Sequence, residues 1–572
     1  MTLAEYPMYK LQGGTDSIED YLLSKGADSA TNNGDGTIEV EYKGYVFTID
    51  EDSLEIISSE ELGGVKPEIE MSKQLSSDQK TVTITVTVTN NVGTVDSIEL
   101  TGPNGNKIEG NLNGKTATFT VNSNGEYTAK VKATTDGKQR SASGKIEVTE
   151  IVVEFSTGFG RIEVIWIDQG NKVIGQPLSP ESSLQGMTPV KWDGTTESTA
   201  KSDNSDGWYN YVAGTGTEDN LNSHWANAKD GDNYFVWIPR YAYRITYYAD
   251  QNSDVATGYY DGRGMVDTQG NVKYELDAGI EKVENNGKTY IVHPAFMNDT
   301  ESTYSHGGWS GDLAGIWVGK YETSGSESDM KIVPNADSIT DHTIGTFYNY
   351  AFDYDRDKES HLMKNSEWGA VAYLTHSQYG RNGNEIYINN DRDITGNSGG
   401  STDASSSGTK YAYDTPEGQK ASSTGNIYGI YDLSGGRYEY VAAFDNESSS
   451  LSPGSSFAST GGASTPYATA YTNGTSTYYG TKIYEVGKTG DATKEAFIGG
   501  NNTRNWNNDY SHFLYSSSPF FVRGGYCDDG SGAGVFNSSY SDGSGYIHNS
   551  FRVVLGGAAL RYTRRRKPFN LR

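Results

Sequence analysis

Residues 81–89 read Thr-Val-Thr-Ile-Thr-Val-Thr-Val-Thr. Apolar and hydroxyl side chains alternate without a slip, so an extended backbone puts every apolar one on the same face. All nine residues are β-branched, which crowds a helical turn. This stretch predicts a strand with one face in a core. Residues 97–100, 116–121, 126–131 and 144–148 read as further strands. Turn signals separate them at Gly102-Pro103-Asn104-Gly105, Asn113-Gly114 and Asn124-Gly125.

About seven short strands in one domain's length, with no cysteine pair, resemble an immunoglobulin-like sandwich of the bacterial surface type. The expected role of residues 65–150 is that of a spacer. Before them, residues 1–64 form a small unit. Residues 17–25 predict a helix, and Thr37 to Tyr42 and Tyr45 to Ile49 predict a hairpin about Lys43-Gly44. A helix followed by a hairpin resembles a pilin-like subunit without its hydrophobic stem. The opening residues MTLAEYPMYKLQGG read as a cut point, so an N-terminal targeting or anchoring segment is expected to be missing.

Gly 69, Tyr 42 and 34% hydrophobic residues in 572 favour short strands, tight turns and ordered loops over helix bundles. Aromatics at 12% exclude general disorder. A net charge of −28 disfavours nucleic acid as a partner. The single Cys527 excludes an internal disulfide and a paired-cysteine redox or metal centre. No apolar run reaches the length of a membrane-spanning helix.

Residues 151–556 carry five segments in a fixed order: residues 235–241 (FVWIPRY), 316–322 (IWVGKYE), 365–374 (NSEWGAVAYL), 426–441 (NIYGIYDLSGGRYEYV), and the pair Val522-Arg523-Gly524-Gly525 and Ser550-Phe551-Arg552-Val553. Together they resemble the formylglycine-generating-enzyme branch of the C-type lectin fold. The fold class expected is therefore mainly β with an α+β head: an immunoglobulin-like sandwich followed by a C-type lectin fold domain. In that frame Gly435-Gly436 permits a positive-φ turn. Trp237, Trp317 and Trp368 supply core mass, and Arg523 and Arg552 are expected to pair with acids such as Glu439 or Asp432. Two polar inserts, residues 195–222 and 397–409, decorate it, and residues 557–572 form a basic tail opposite in sign to the body.

The resemblance does not carry the family's chemistry across. Formylglycine-generating enzymes use a pair of cysteines to hold copper, and this chain has one. The eight histidines show no ligand spacing on a helix, so the sulfoxide-forming branch's iron site is not expected either. No enzyme activity and no cofactor is expected. The carboxylates of residues 389–393 and 203–206 leave a structural calcium site as the one metal to test.

Between the frame pieces Arg523-Gly524-Gly525, Ala533-Gly534-Val535-Phe536 and Ser550 to Leu555 lie Tyr526, Cys527, Asp528, Asp529, Ser531, Ser538, Ser539, Tyr540, Ser541, Asp542, Ser544, Tyr546, Ile547 and His548. Each of these residue types is reached from the asparagine codon AAC by changing adenines alone. The segment resembles the variable cassette of a protein rewritten by a diversity-generating retroelement. That resemblance implies a ligand-binding face built from these fourteen residues, with Cys527 exposed among them and Trp506 as a fixed flanking wall. Tyr, Ser, Asp, His and Gly also make up antibody paratopes. The partner expected is an unknown protein or cell-surface ligand, with pilus or virion assembly contacts besides. The place expected is outside a bacterial cell or on a virion. A structural pilus or virion tip subunit, or a catalytically dead oxidase-like domain, is the alternative.

Overall fold

The structure, a computed structural model, describes residues 22, 27, 29–32, 37–42, 45–50, 56–61, 63–76, 81–102, 107–121, 125–148, 161–214, 219–247, 258–261, 264–267, 272–298, 308–309, 311–461, 465–473, 486–497 and 504–556. The chain is mainly β and forms two compact units, Met1–Glu154 and Phe155–Arg572. The first unit takes in both of the segments expected before residue 150. The start of the chain, most of the helix expected over 17–25 and the tail 557–572 lie outside the described residues.

In the first unit, β1 (Ser29–Asn32), β2 (Thr37–Tyr42), β3 (Tyr45–Asp50) and β4 (Ile56–Glu61) make an antiparallel sheet in that order. The expected hairpin is β2–β3, in register with Tyr42 opposite Tyr45. Ile38, Val40 and Ile49 bury one face with Leu22.

The remainder of this unit is two antiparallel sheets on one core. One runs β5 (Ile69–Leu75), β6 (Val82–Val88), β10 (Thr116–Val121), β9 (Gly110–Asn113). The other runs β12 (Lys138–Val148), β11 (Gly125–Thr135), β7 (Thr94–Thr101), β8 (Lys107–Ile108). β6 is the alternating segment, and its Val82, Ile84, Val86 and Val88 are all buried. With Phe119 they meet Leu100, Tyr127 and Val131 of the facing sheet. β5, β8 and β9 escaped the sequence reading. β5 is an edge strand half exposed along its length, and the other two are short and polar. Arg140 of β12 and Glu41 of β2 form a buried ion pair that ties the small sheet to the sandwich.

The second unit packs several largely antiparallel sheets with two helices of eleven and twelve residues. One sheet orders Thr196–Thr199, Thr188–Asp193, Asn227–Asp230, Asn233–Pro239, Gly315–Gly319, Val553–Gly556 and His361–Leu362. The first two of the five motif segments pair in it, with Trp237 opposite Trp317 and their rings 5.2 Å apart. A second sheet carries Arg161–Trp166 against Tyr241–Tyr247. A third orders Thr469–Tyr471, Tyr438–Asp445, Phe520–Gly524 and Gly534–Ser541, with Asn549–Phe551 parallel to Tyr438–Asp445.

Helix α1 spans Ile344–Tyr354, and α2 spans Asn365–His376, where the resemblance of the third motif segment implies a helix. α2 is buried on every side, so it is a core rod rather than an amphipathic surface helix. Its Trp368 donates Nε1–H to the Val535 carbonyl at 2.7 Å, fixing α2 to the third sheet.

Arg552 sits at the centre of this loop-rich half, fully buried. It donates to both Glu439 carboxylate oxygens at 2.9 and 2.5 Å, to the Gly319 carbonyl at 2.7 Å and to the Tyr431 carbonyl at 2.9 Å. Burial works against its charge, but Glu439 and the nearby Asp432 and Glu322 more than offset this, so the guanidinium is held above its ordinary pKa. Breaking such a pair leaves a buried charge alone. Arg552→Met is expected to destabilise the second unit by about 3–5 kcal/mol in a denaturant titration, with part recovered in the Arg552→Met/Glu439→Leu double variant.

Candidate functional site

The C-terminal run forms a hairpin in the third sheet. Phe520–Gly524 leads into a loop through Gly525 and a short turn at Gly530–Gly532, and Gly534–Ser541 returns with Val522 opposite Ser539 and Phe520 opposite Ser541. Gly525 has φ +80°, and a Cβ there would lie 2.5 Å from the Ala533 backbone, so only glycine closes this loop. Asp529 locks it from inside: its Oδ2 accepts the Tyr526 N–H at 2.9 Å and the Tyr438 hydroxyl at 2.6 Å. Beneath the sheet, Arg523 lies 5.6 Å over the Trp368 ring. It donates to Asn365 Oδ1 at 3.2 Å and to the Asp491 and Ala492 carbonyls at 3.3 Å. The acid partner expected for Arg523 is replaced by an amide and two backbone carbonyls, while Arg552 holds Glu439 as expected. Burial lowers the Arg523 pKa to about 10.

A cleft of about 330 Å³ opens on this sheet. Six of its lining residues, Ser539, Tyr540, Ser541, Asp542, Tyr546 and His548, belong to the run. Tyr438, Ser518, Val522 and Asn549 come from the surrounding framework. Tyr438 stacks on Tyr526 at 6.0 Å, and Tyr526 meets His548 edge-on at 4.6 Å. Tyr540 packs edge-on against Tyr515 at 4.8 Å and lies 5.8 Å from His512. Sequence reasoning missed Tyr438, Ser518 and Asn549 as site residues. Tyr438 and Asn549 are 111 positions apart, and only the parallel pairing of their strands makes them neighbours.

The fourteen sequence-derived positions separate by depth. Asp528, Ser531, Tyr546, Ile547 and His548 are exposed, and Asp529, Ser539, Tyr540, Asp542 and Ser544 are half-buried. Tyr526, Cys527, Ser538 and Ser541 are buried, contrary to the expectation that the whole run faces outward. Cys527 is 1% exposed. Burial, with the Asp528 charge adding, pushes its thiol up to about 11, away from thiolate chemistry. Ser538 lies opposite Arg523 inside the sheet, and Ser541 shares a 2.7 Å hydrogen bond with the Tyr440 hydroxyl. Trp506 is not a wall of the cleft. It is 3% exposed and packs edge-on against Phe536 at 5.1 Å. The neighbour that reaches the run is Asn508, whose amide donates to Ser531 Oγ at 3.3 Å. From the insert 397–409, Ser406 donates to Asp528.

The carboxylates considered for calcium serve their own loops. Asp391 accepts the Asp393 and Ile394 N–H groups, Asp393 pairs with Arg437 at 2.6 Å, and Asp206 pairs with Lys191 at 3.1 Å. Among the described residues no three His, Cys, Asp or Glu side chains converge as metal ligands. Neither a protein-family model nor a curated protein matches this sequence.

Several buried acids are held protonated beyond the usual carboxylate range. Burial raises Glu495 to about 7, with the neighbouring Asp491 adding to the shift, and burial raises Glu385 to about 8 despite Arg381. The folded chain thus keeps protons that the unfolded chain releases, and stability falls as pH rises from the ordinary glutamate range through 7 to 8. The melting temperature is expected to be higher at pH 5.5 than at pH 8.5, and Glu385→Gln should flatten that dependence, read by calorimetry across the pH range. A second outcome concerns Cys527: an aromatic disulfide reagent should leave the native thiol largely unmodified over minutes and modify it at once in guanidinium chloride.

Proposed function

We propose that this chain is a binding protein, not an enzyme, whose C-terminal run forms a ligand-contacting face rewritten by a diversity-generating retroelement. The observation that carries the reading is the cleft. Most of its lining comes from a run whose residue types can all be reached from one asparagine codon by adenine changes, and the rest comes from the surrounding framework. The face is narrower than the run: the exposed and half-buried positions other than Asp529 contact ligand together with Ser541 of the cleft lining, and Tyr526, Cys527, Asp529 and Ser538 hold the hairpin.

The scaffold we infer is a C-type lectin fold head of the formylglycine-generating-enzyme-like branch, following an immunoglobulin-like spacer in the chain. The buried α2, the tryptophan-paired strands and the Arg552–Glu439 pair support the first. The sheet orders β5-β6-β10-β9 and β12-β11-β7-β8 support the second. Lettered in sequence, they read A-B-E-D and G-F-C-C′. A spacer and a diversified head suit display at a bacterial cell surface or on a virion, with an unidentified protein or cell-surface molecule as ligand.

Sequencing the DNA beside the gene tests this. A near-copy of the codons for residues 520–555, differing where it carries adenine and lying near a reverse-transcriptase gene, is the expected finding; its absence removes the diversification reading. The protein offers a separate check. Ile547→Ser and His548→Ser are expected to change unfolding free energy by less than ~0.5 kcal/mol. Cys527→Tyr or Ser538→Tyr should cost ~1–3 kcal/mol or more through overpacking, measured by urea titration. Equal tolerance at all four positions would sink the division between face and hairpin.

A further inference from the structure

We propose that the cleft receives a basic side chain, a lysine ammonium or an arginine guanidinium, presented by a protein partner. The inference rests on the reading of this cleft as the binding face, and it names the chemistry that face selects in this copy of the chain.

The walls carry aromatic rings and a carboxylate without a cation. Tyr438, Tyr540 and Tyr546 line the cleft with Asp542, and no lysine or arginine is among the lining residues. Cations are drawn to the electron-rich faces of such rings, most strongly where water is partly excluded. Asp542 is half-buried. Its Oδ1 accepts the Ser544 N–H at 2.9 Å, while Oδ2 receives only a long 3.3 Å contact from the Tyr546 hydroxyl. That oxygen keeps acceptor capacity for a charged donor, and a charge-assisted bond is stronger than a neutral one. Asp529 places a second carboxylate at the Tyr438 hydroxyl, 2.6 Å away.

Among the arginines of the neighbouring loops, Arg437 keeps Nε and Nη1 without a hydrogen-bond partner but is ion-paired through its other nitrogen. Arg437 and Arg392 both bind Asp393, at 2.6 and 3.2 Å, and Arg504 lies 4.1 Å over the Tyr510 ring. No lysine or arginine lines the cleft, so an anionic ligand would meet Asp542 there without a counter-charge from the walls and would lose solvation on entry. The net charge of −28 adds long-range attraction for a basic partner. A volume of about 330 Å³ admits one long side chain with its adjoining backbone, not a folded surface.

The test uses the full chain and three probes in isothermal titration calorimetry: a tetra-arginine peptide, a tetra-glutamate peptide and the neutral sugar maltotriose. The tetra-arginine peptide is expected to bind. Asp542→Asn should weaken it by about tenfold, as loss of a charge-assisted bond predicts, and Tyr546→Ala by about threefold, as loss of an exposed ring contact predicts. Preference for the glutamate peptide or the sugar, lost in Tyr546→Ala, overturns the cationic assignment and leaves the binding-face reading standing. Arginine-peptide binding that Asp542→Asn does not change also overturns it, since it then reflects the net charge alone. If no probe binds, the cationic assignment falls, and the DNA beside the gene judges the binding-face reading independently.

Discussion

A buried guanidinium holds the second unit together. Arg552 cannot remain charged away from water unless every donor finds an acceptor, and its acceptors come from two distant segments: the Gly319 carbonyl from one, and the Tyr431 carbonyl and Glu439 carboxylate from the other. Around it the acids Asp432 and Glu322 bind the loops in turn. Asp432 accepts from Asn389 and Gly396 at 2.8 Å, and Glu322 accepts the Arg437 N–H at 2.9 Å and the Ser338 hydroxyl at 2.6 Å. Burial and the adjacent Asp432 and Glu439 carboxylates raise Glu322 well above the usual range. Regular secondary structure is sparse across these loops, so the polar core does the positioning that ladders of hydrogen bonds do elsewhere.

This rigidity is what lets the C-terminal run be both strand and surface. One face of the hairpin is fixed from below by Arg523 on α2 and by Trp368 on the Val535 carbonyl. Gly435 and Gly436, at φ +76° and +67°, bring the chain hard against Asn389, where a Cβ on Gly435 would lie 2.4 Å from the Asn389 carbonyl. With the backbone held this way, Tyr546, Ile547 and His548 stand in solvent with little duty to the core.

Much of the fold was legible because its signals are local. The alternation in β6 and the β2–β3 hairpin depend on neighbours in sequence, and both appear where the residues place them. α2 is not legible from a local pattern; only the resemblance of its segment implies a helix there. The site was legible only in outline. Residue type marked the run but could not rank depth within it, because Cys, Ser and Tyr suit both a surface and a sheet interior. Cys527, Ser538 and Ser541 went inside, and Trp506 became core against Phe536. The expected acid partner of Arg523 failed for a related reason: buried carbonyls satisfy a guanidinium as well as a carboxylate does, and they leave no trace in the sequence.

The sequence by itself determined where the alternating strand β6 and the β2–β3 hairpin form, that a lone cysteine supports no paired-thiol centre, and which run of residues is chemically unlike its frame. Only the tertiary structure decided which of those residues reach solvent and which framework groups join them. Periodicity and composition act over a few residues, whereas the cleft exists because Tyr438, Val522, Ser539 and Asn549 meet across strands drawn from more than a hundred positions of chain. Register between distant strands is set by the packing of the whole core, and no local pattern encodes it.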